Sequence, residues 1–259
     1  MKKLAILGLV AALSACAPQQ RPRTPEHVID RALKGAPGQA QPSKIVAVES
    51  AFSRAAREEG QWTAFRQFAA ERAIIHGRSG PIDAHPWLAE QADPPAAVQW
   101  TPLTIWMSCS GRLAVSQGKF ADPSGQWGYF VTVWEQQEDG SYKWIYDVGG
   151  IDPVLTEREN EARGPQEIEA GAIVVEAIPI IRGEVADCPA RGDMPEVKGI
   201  TVDALAQSKA AISPDGTLQW AWVQHDDGRR QLLAQMWQGG DWIEALTFNI
   251  SADGTIDRQ

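Results

Sequence analysis

Residues 98–148 read VQWTPLTIWMSCSGRLAVSQGKFADPSGQWGYFVTVWEQQEDGSYKWIYDV, and this stretch decides the fold. Apolar and polar side chains alternate along it with a period of two, the spacing of a β-strand whose two faces differ. Glycine, proline, serine and aspartate interrupt the alternation where tight turns are expected. The pattern predicts an antiparallel meander of four strands, at residues 98–107, 112–120, 125–136 and 142–148.

On the N-terminal side of this meander, the period changes to that of a helix. Residues 44–59 predict a first helix that Gly60 ends, with an apolar face made of Val46, Val48, Ala51, Phe52, Ala55 and Ala56. Residues 61–73 and 81–91 predict two further helices, separated by a short strand at 73–77. Helices followed by a long meander indicate an α+β fold, in which a curled antiparallel sheet packs on three N-terminal helices.

On the C-terminal side, residues 151–171 are polar and charged, as is typical of a linker or an exposed helix. Residues 172–259 predict a β-rich C-terminal region. It comprises one apolar strand at 172–185, or two with a kink at Pro179, then a loop at 188–199, a short helix at 202–211, and a three-strand meander at 218–225, 229–238 and 242–248. A meander with one apolar face must cover it, so this region packs either on its own elements or on the first domain.

The sequence of residues 44–150 resembles the nuclear transport factor 2-like superfamily, and within it the SnoaL-like branch. The motifs that carry the resemblance are AF-x2-AA-x3-G-x2-TAF-x2-FAAE, HPWL, SGRLAVSQGKF and YFVTVWEQQEDGSYKWIYDVG. The resemblance implies a cone-shaped sheet with an apolar pocket between sheet and helices. Members of the superfamily include isomerases, dehydratases, epoxide hydrolases and cyclases, together with non-catalytic binding and assembly domains, so this fold alone does not fix a function.

Residues 1–16 resemble the leader of a bacterial lipoprotein. Lys2 and Lys3 precede an apolar run at residues 4–13, which is too short to span a bilayer. The run leads into LSAC at residues 13–16, which resembles a lipobox. The resemblance implies that Cys16 is acylated and anchors the mature chain to membrane lipid. The alternative is an ordinary cleaved signal with an incidental cysteine.

Residues 17–43 are rich in proline, glutamine and glycine, and predict a flexible tether between lipid and domain. Ala17 and Pro18 lack the aspartate that the lipoprotein resemblance associates with inner-membrane retention. We therefore expect a cell-envelope location, at the periplasmic face of the outer membrane if the host has two membranes.

The composition limits the partners. The 259-residue chain has a net charge of −9, which argues against nucleic acid and against a second, electrostatic contact with anionic lipid. Its cysteines and histidines lack metal-ligand spacing, so we expect no metal or cofactor. Besides Cys16, the chain has Cys109 and Cys188, which form either one disulfide or two buried free thiols.

Three residues are candidates for acid–base chemistry: Asp147, His76 and His85. Each also has an ordinary structural interpretation, as a strand-end, turn or helix-start residue. Alternation along the last strand of the meander predicts that Asp147 lies on the face opposite Tyr142, Trp144 and Tyr146. The candidate pocket residues are aromatic and equally suited to a core: Trp100, Trp106, Trp127, Tyr129, Trp134, Trp144 and Tyr146.

These features predict a membrane-anchored envelope lipoprotein whose non-catalytic barrel binds an apolar small molecule or an envelope protein. The alternative is an isomerase, dehydratase or hydrolase that uses an acid–base residue in the pocket. The acid and tyrosine positions expected from the isomerase branch are not found in residues 44–77, which favours the first hypothesis. The resemblance also implies a homodimer through the open sheet face, unless the C-terminal region covers that face.

Overall fold

The structure is a computed structural model that describes residues 28, 38–162, 180–190, 194–202 and 206–258. The chain divides into two units at the Ala36–Pro37 boundary, and the architecture below is that of the second unit. The predicted leader with Cys16, most of the predicted tether at 17–43 and residues 163–179 lie outside the described residues. Within the described part, no helix is long and apolar enough to cross a membrane.

The structure is α+β, with helices α1 at Pro42–Glu59, α2 at Gln61–Phe68, α3 at Ala84–Ala89 and α4 at Pro153–Ala162. Helix α1 starts with proline in its first turn, where a missing N–H costs nothing, and ends at Gly60, whose φ of +117° favours glycine. The predicted second helix is five residues too long at its C-terminal end, since Ala69 already pairs with Trp144 in a sheet.

The larger sheet has seven strands in the order β2-β1-β6-β5-β4-β3-β7. Its strands are β1 Ala69–Gly77, β2 Gly80–Asp83, β3 Gln99–Met107, β4 Leu113–Ala121, β5 Trp127–Gln136, β6 Tyr142–Ile151 and β7 Arg182–Val185. The predicted four-strand meander is confirmed as β3 to β6. The prediction of a wholly antiparallel sheet is wrong, because β1 pairs parallel to β6 and β7 pairs parallel to β3.

The smaller sheet is antiparallel, in the order β11-β10-β9-β8. Its strands are β8 Gln207–Ile212, β9 Leu218–Gln224, β10 Arg230–Gln238 and β11 Asp241–Ile250. The predicted three-strand meander is confirmed as β9 to β11. The helix predicted at 202–211 is wrong in its second half, because residues 207–212 pair with β9 as an edge strand. Residues 81–83, predicted to be helical, belong to β2, which pairs with β1.

The larger sheet is buried on both faces. One face meets the helices in the helix-side core, whose members include Ile45, Phe52, Ala64, Leu88, Ile105, Met107, Ala114, Trp134 and Trp144. The other face meets the smaller sheet in the inter-sheet core, whose members include Trp106, Val115, Val131, Val133, Tyr146, Val148, Leu218, Trp222, Leu232, Met236 and Phe248. The face suggested for dimerisation is therefore covered by the C-terminal region of the same chain.

A disulfide joins Cys109, which follows β3, to Cys188, which follows β7. Strands β3 and β7 are neighbours in the larger sheet, with Met107 paired to Val185. The bridge therefore joins the segment that follows β7 to the segment that follows β3, the first strand of the meander.

Loss of this bridge should lower the free energy of unfolding by roughly 4 kcal/mol, because the bridge closes a loop across a sequence separation of 79. Cys109→Ser, Cys188→Ser and the double variant should all lose a similar amount, measured by urea unfolding with tryptophan fluorescence. Cys16→Ser is the control, and should leave the midpoint unchanged. A double variant as stable as the wild type would contradict the prediction.

Candidate functional site

A β-bulge in β6 determines which side chains face the helices. Val133 pairs with Tyr146, but Trp134 pairs with Trp144, so β6 carries the extra residue Ile145. Trp144 lies in the helix-side core, and Tyr146 lies in the inter-sheet core.

The bulge corrects the predicted position of Asp147. Its carboxyl lies on the face opposite Tyr146, as predicted. It does not lie opposite Tyr142 and Trp144, which face the helices as Asp147 does. Simple alternation fails here because one inserted residue reverses the facing of all positions before it.

Asp147 faces a cavity of about 160 Å³ between the helices and the larger sheet. The cavity is lined by Phe52, Gln61, Phe65, Val98, Trp100, Phe120, Phe130, Thr132, Asp147 and Gly149. Most of this wall is aromatic or aliphatic. Gly149 is exposed, and Val98, Trp100 and Phe120 are half-buried, so the cavity reaches the surface beside them.

Asp147 is the acid of this cavity. Thr132 Oγ1 donates a hydrogen bond of 2.7 Å to its Oδ2. Burial among apolar walls raises the pKa of Asp147 to about 6, against a lowering effect of the Thr132 hydrogen bond. Asp147 is only half-buried, so a small molecule in the cavity can reach its carboxyl group.

A second acid, Glu49 of α1, is fully buried beside the cavity. Its Oε1 accepts hydrogen bonds from Ser116 Oγ at 2.5 Å and Trp134 Nε1 at 3.1 Å, and its Oε2 accepts one from Trp100 Nε1 at 3.0 Å. Burial raises the pKa of Glu49 to about 7; these three donors lower it, and the charge of Asp147 raises it further.

The two acids are connected by a row of polar side chains across the sheet. Ser116 of β4 pairs with Thr132 of β5, and Thr132 pairs with Asp147 of β6. We call Ser116, Thr132 and Asp147 the polar row. Glu49 contacts the Ser116 end, and the cavity lies at the Asp147 end.

Sequence reasoning missed Glu49 because the predicted helical face was right at Phe52, Ala55 and Ala56 but wrong in its first half. The buried face of α1 contains Ile45, Glu49, Phe52 and Ala56, whereas Ala51 is exposed. Glu49 stands four residues after Ile45 and three before Phe52. This i, i+4, i+7 spacing with apolar residues was the sequence signal that could have identified Glu49 as a buried acid.

His76 does not share this site. Its side chain lies on the other face of the larger sheet, where Nδ1 is 2.6 Å from Tyr146 Oη and Nε2 is 2.9 Å from Gln224 Oε1. These partners fit a neutral ring that donates from Nε2 and accepts at Nδ1. Burial lowers the pKa of His76 to about 4; the Gln224 hydrogen bond opposes this, and the charge of Arg230 adds to it.

His85 also lies outside the cavity wall. It lies in the first turn of α3, and its Nε2 is 3.0 Å from the carbonyl oxygen of Ala70. This contact ties α3 to β1, the role expected of a helix-start residue. Of the three acid–base candidates, the structure places Asp147 alone at the cavity.

The seven predicted pocket aromatics separate into groups. Trp100 lines the cavity, while Trp134 and Trp144 lie in the helix-side core next to it. The others are not in the cavity wall: Trp106 and Tyr146 belong to the inter-sheet core, Tyr129 packs against that core, and Trp127 lies under the Lys119 ammonium group at 5.1 Å. Trp106, Tyr129 and Tyr146 lie away from the cavity because aromatic residues pack on both buried faces of this sheet. Trp127 lines a separate surface pocket together with Trp100, Lys119 and Glu159.

Comparison of the chain with models of protein families and with curated protein sequences finds no match. Within the residues that the structure describes, no group of three or more histidine, cysteine, aspartate or glutamate side chains could hold a metal ion. The geometry instead offers an apolar cavity with one accessible carboxyl group, which accepts hydrogen bonds when ionised and donates one when protonated.

Replacing Glu49 by glutamine should make stability less sensitive to pH. Unfolded Glu49 ionises near 4.5 and folded Glu49 near 7, so its contribution is full below pH 4.5 and is lost as pH rises through 7. The Glu49→Gln variant should therefore gain stability relative to wild type, by roughly 3 kcal/mol between pH 4.5 and 8.

Urea unfolding across this pH range measures that difference. Glu58→Gln changes an exposed acid of the same helix, and should leave the pH profile close to that of the wild type. Parallel wild-type and Glu49→Gln profiles would show that burial does not hold the proton on Glu49.

Proposed function

We propose that this chain is a lipid-anchored cell-envelope protein that binds a small molecule in the cavity at Asp147. The proposal includes the finer arrangement that the sequence resemblance implies, a cone-shaped sheet of the nuclear transport factor 2-like kind with its pocket between sheet and helices. The observation that carries the proposal is a cavity with aromatic walls and one reachable carboxyl group. A pocket with these two parts suits a mainly apolar ligand with a single polar group.

The cavity volume limits the ligand. A cavity of about 160 Å³ is close to one of roughly 150 Å³ that accepts benzene in another protein. Pockets for drug-sized ligands are larger, roughly 300–1,000 Å³. The proposed ligand is therefore the size of one ring or a short branched chain, and a polycyclic molecule would not fit.

A binding role is favoured over catalysis by the surroundings of the acids. Glu49 is fully buried, holds three donors and is not part of the cavity wall, so it does not reach a ligand. His76 is on the other face of the sheet. Asp147 thus lacks a second acid–base group at the cavity with which to complete a proton-transfer pair.

One observation favours a second candidate function. A carboxyl group with a pKa of about 6 inside an apolar cavity is suited to general-base catalysis near neutral pH. An isomerase, dehydratase or hydrolase with Asp147 as its base is therefore the alternative. It predicts turnover of a bound ligand, with a rate that falls as pH drops below about 6.

The anchoring part of the proposal rests on the lipobox-like residues 13–16 and on the disulfide. A disulfide such as Cys109–Cys188 forms and persists in an oxidising compartment like the periplasm, so the bridge supports an envelope location. An envelope location and a protein partner there remain parts of the same hypothesis.

Small single-ring compounds should bind the wild-type protein and should bind Gly149→Val more weakly, by about tenfold or more. A Cβ at Gly149 would lie 3.4 Å from both Phe120 Cε1 and the Tyr129 carbonyl oxygen and 3.7 Å from Phe130 Cβ, which are ordinary contact distances, so the substitution takes up space at the cavity wall. Ligand-observed NMR with benzene, phenol and toluene on the purified full chain measures the affinities.

The matched control is Ala211→Val, which places the same valine side chain at an exposed position of β8 in the other sheet. It should bind like the wild type. Equal binding of the compounds to Gly149→Val and Ala211→Val would show that the cavity is not the binding site. Conversion of a bound compound that Asp147→Asn abolishes would favour the enzymatic alternative.

Cys16→Ser should release the protein from membranes, because it removes the acyl acceptor. Radiolabelled palmitate incorporation and the membrane fraction of cell lysates should both fall to background, while Cys109→Ser should retain both. Labelled, membrane-bound Cys16→Ser protein would contradict the anchor.

A further inference from the structure

We propose that the cavity at Asp147 binds a small organic cation, an alkylammonium group enclosed by aromatic rings and paired with the Asp147 carboxylate. This inference rests on the proposed binding function and names its ligand class.

The first argument is the charge of the wall. Asp147 is the one ionisable side chain among the ten residues that line the cavity. Its polar contact is the Thr132 hydroxyl, and no ion pair with a cationic side chain is present within the described ranges. Glu49 on the facing helix is neutral when protonated and negative when ionised, so it supplies no positive charge to Asp147 either. A carboxylate enclosed by apolar walls is costly without a counter-ion, and a cationic ligand would supply it.

The second argument is the arrangement of the rings. Phe52 lies 4.8 Å from Phe65 and 4.7 Å from Trp100, with interplanar angles of 64° and 72°. Phe65 and Trp100 are 6.0 Å apart at 64°. Rings set at steep angles to each other form adjoining walls rather than a stack. Phe120 and Phe130 extend this wall.

Aromatic faces attract a cation within about 6 Å of the ring centre, most strongly where water is excluded. Five rings around one carboxylate are thus complementary to a group that is both apolar on its surface and positively charged. Alkylammonium groups have this combination, whereas a neutral ligand leaves the carboxylate unpaired and an anion is repelled by Asp147.

The third argument is size and long-range charge. A tetramethylammonium ion is about as large as a benzene ring, and thus suits a cavity of about 160 Å³. The net charge of −9 also draws cations towards the protein at low ionic strength.

The test compares choline with 3,3-dimethylbutan-1-ol, in which a carbon atom replaces the ammonium nitrogen and the shape is kept. Isothermal titration on the purified full chain at pH 8 and low salt should show choline binding at least about tenfold more tightly than the alcohol. Asp147→Asn should weaken choline by about tenfold or more and leave the alcohol unchanged. The matched control Asp139→Asn, at an exposed turn, should leave both unchanged.

Binding of the alcohol by Asp147→Asn shows that this variant keeps its cavity. If the alcohol binds as tightly as choline, or if choline is insensitive to Asp147→Asn, the cation inference is overturned while the proposed small-molecule site survives. If choline, the alcohol and the single-ring compounds all fail to bind, both the inference and the proposed function are wrong.

Discussion

The bulge at Ile145 is the constraint on which the arrangement of this protein depends. One additional residue in β6 lets Trp144 and Asp147 face the helices while Tyr146 and Val148 face the smaller sheet. Without it, Asp147 and Trp144 would lie on opposite faces. Either the Asp147 carboxyl group would then point away from the cavity, or the Trp144 indole would leave the helix-side core. Bulges often redirect side chains in this way next to functional sites.

Because the larger sheet is buried on both faces, its buried polar side chains need hydrogen-bond partners inside the protein. On the inter-sheet side, His76 is held neutral between Tyr146 and Gln224, and the Arg230 guanidinium donates to the His76 carbonyl oxygen at 3.1 Å. That network has hydrogen-bond partners that span the two sheets, so it fixes how the C-terminal region sits on the first meander. Its contribution is to the specificity of packing rather than to ligand chemistry.

The sequence predicted the parts of the fold that depend on local pattern. Meander strands β3 to β6 and β9 to β11 have clear alternation and clear turns, and both sets were confirmed. Elements that depend on a distant partner were missed. Strand β8 carries residues QSKAAI, which suit a helix as well as a strand, and its pairing with β9 decides between them. Helix α2 ends at Phe68 because β1 already pairs with β6 there.

The candidate site was only partly predictable, for a related reason. Asp147 and Trp100 stand out in the sequence as an acid and an aromatic on strands. Glu49 looks like an ordinary surface acid until the phase of its helix is known. A one-residue bulge or a small rotation of a helix has no strong signature in a single sequence, yet each decides which side chains meet.

The two acids at the ends of the polar row, Glu49 and Asp147, have different surroundings. Glu49 receives hydrogen bonds from Ser116, Trp100 and Trp134, is fully buried and is not part of the cavity wall. Asp147 receives one from Thr132 and keeps the rest of its carboxyl group towards the cavity. Because Trp100 both binds Glu49 and lines the cavity, the buried acid holds in place one wall of the cavity that Asp147 faces. Support of the wall comes from a helix and the carboxyl group at the cavity comes from a strand, and the two meet across Ser116 and Thr132.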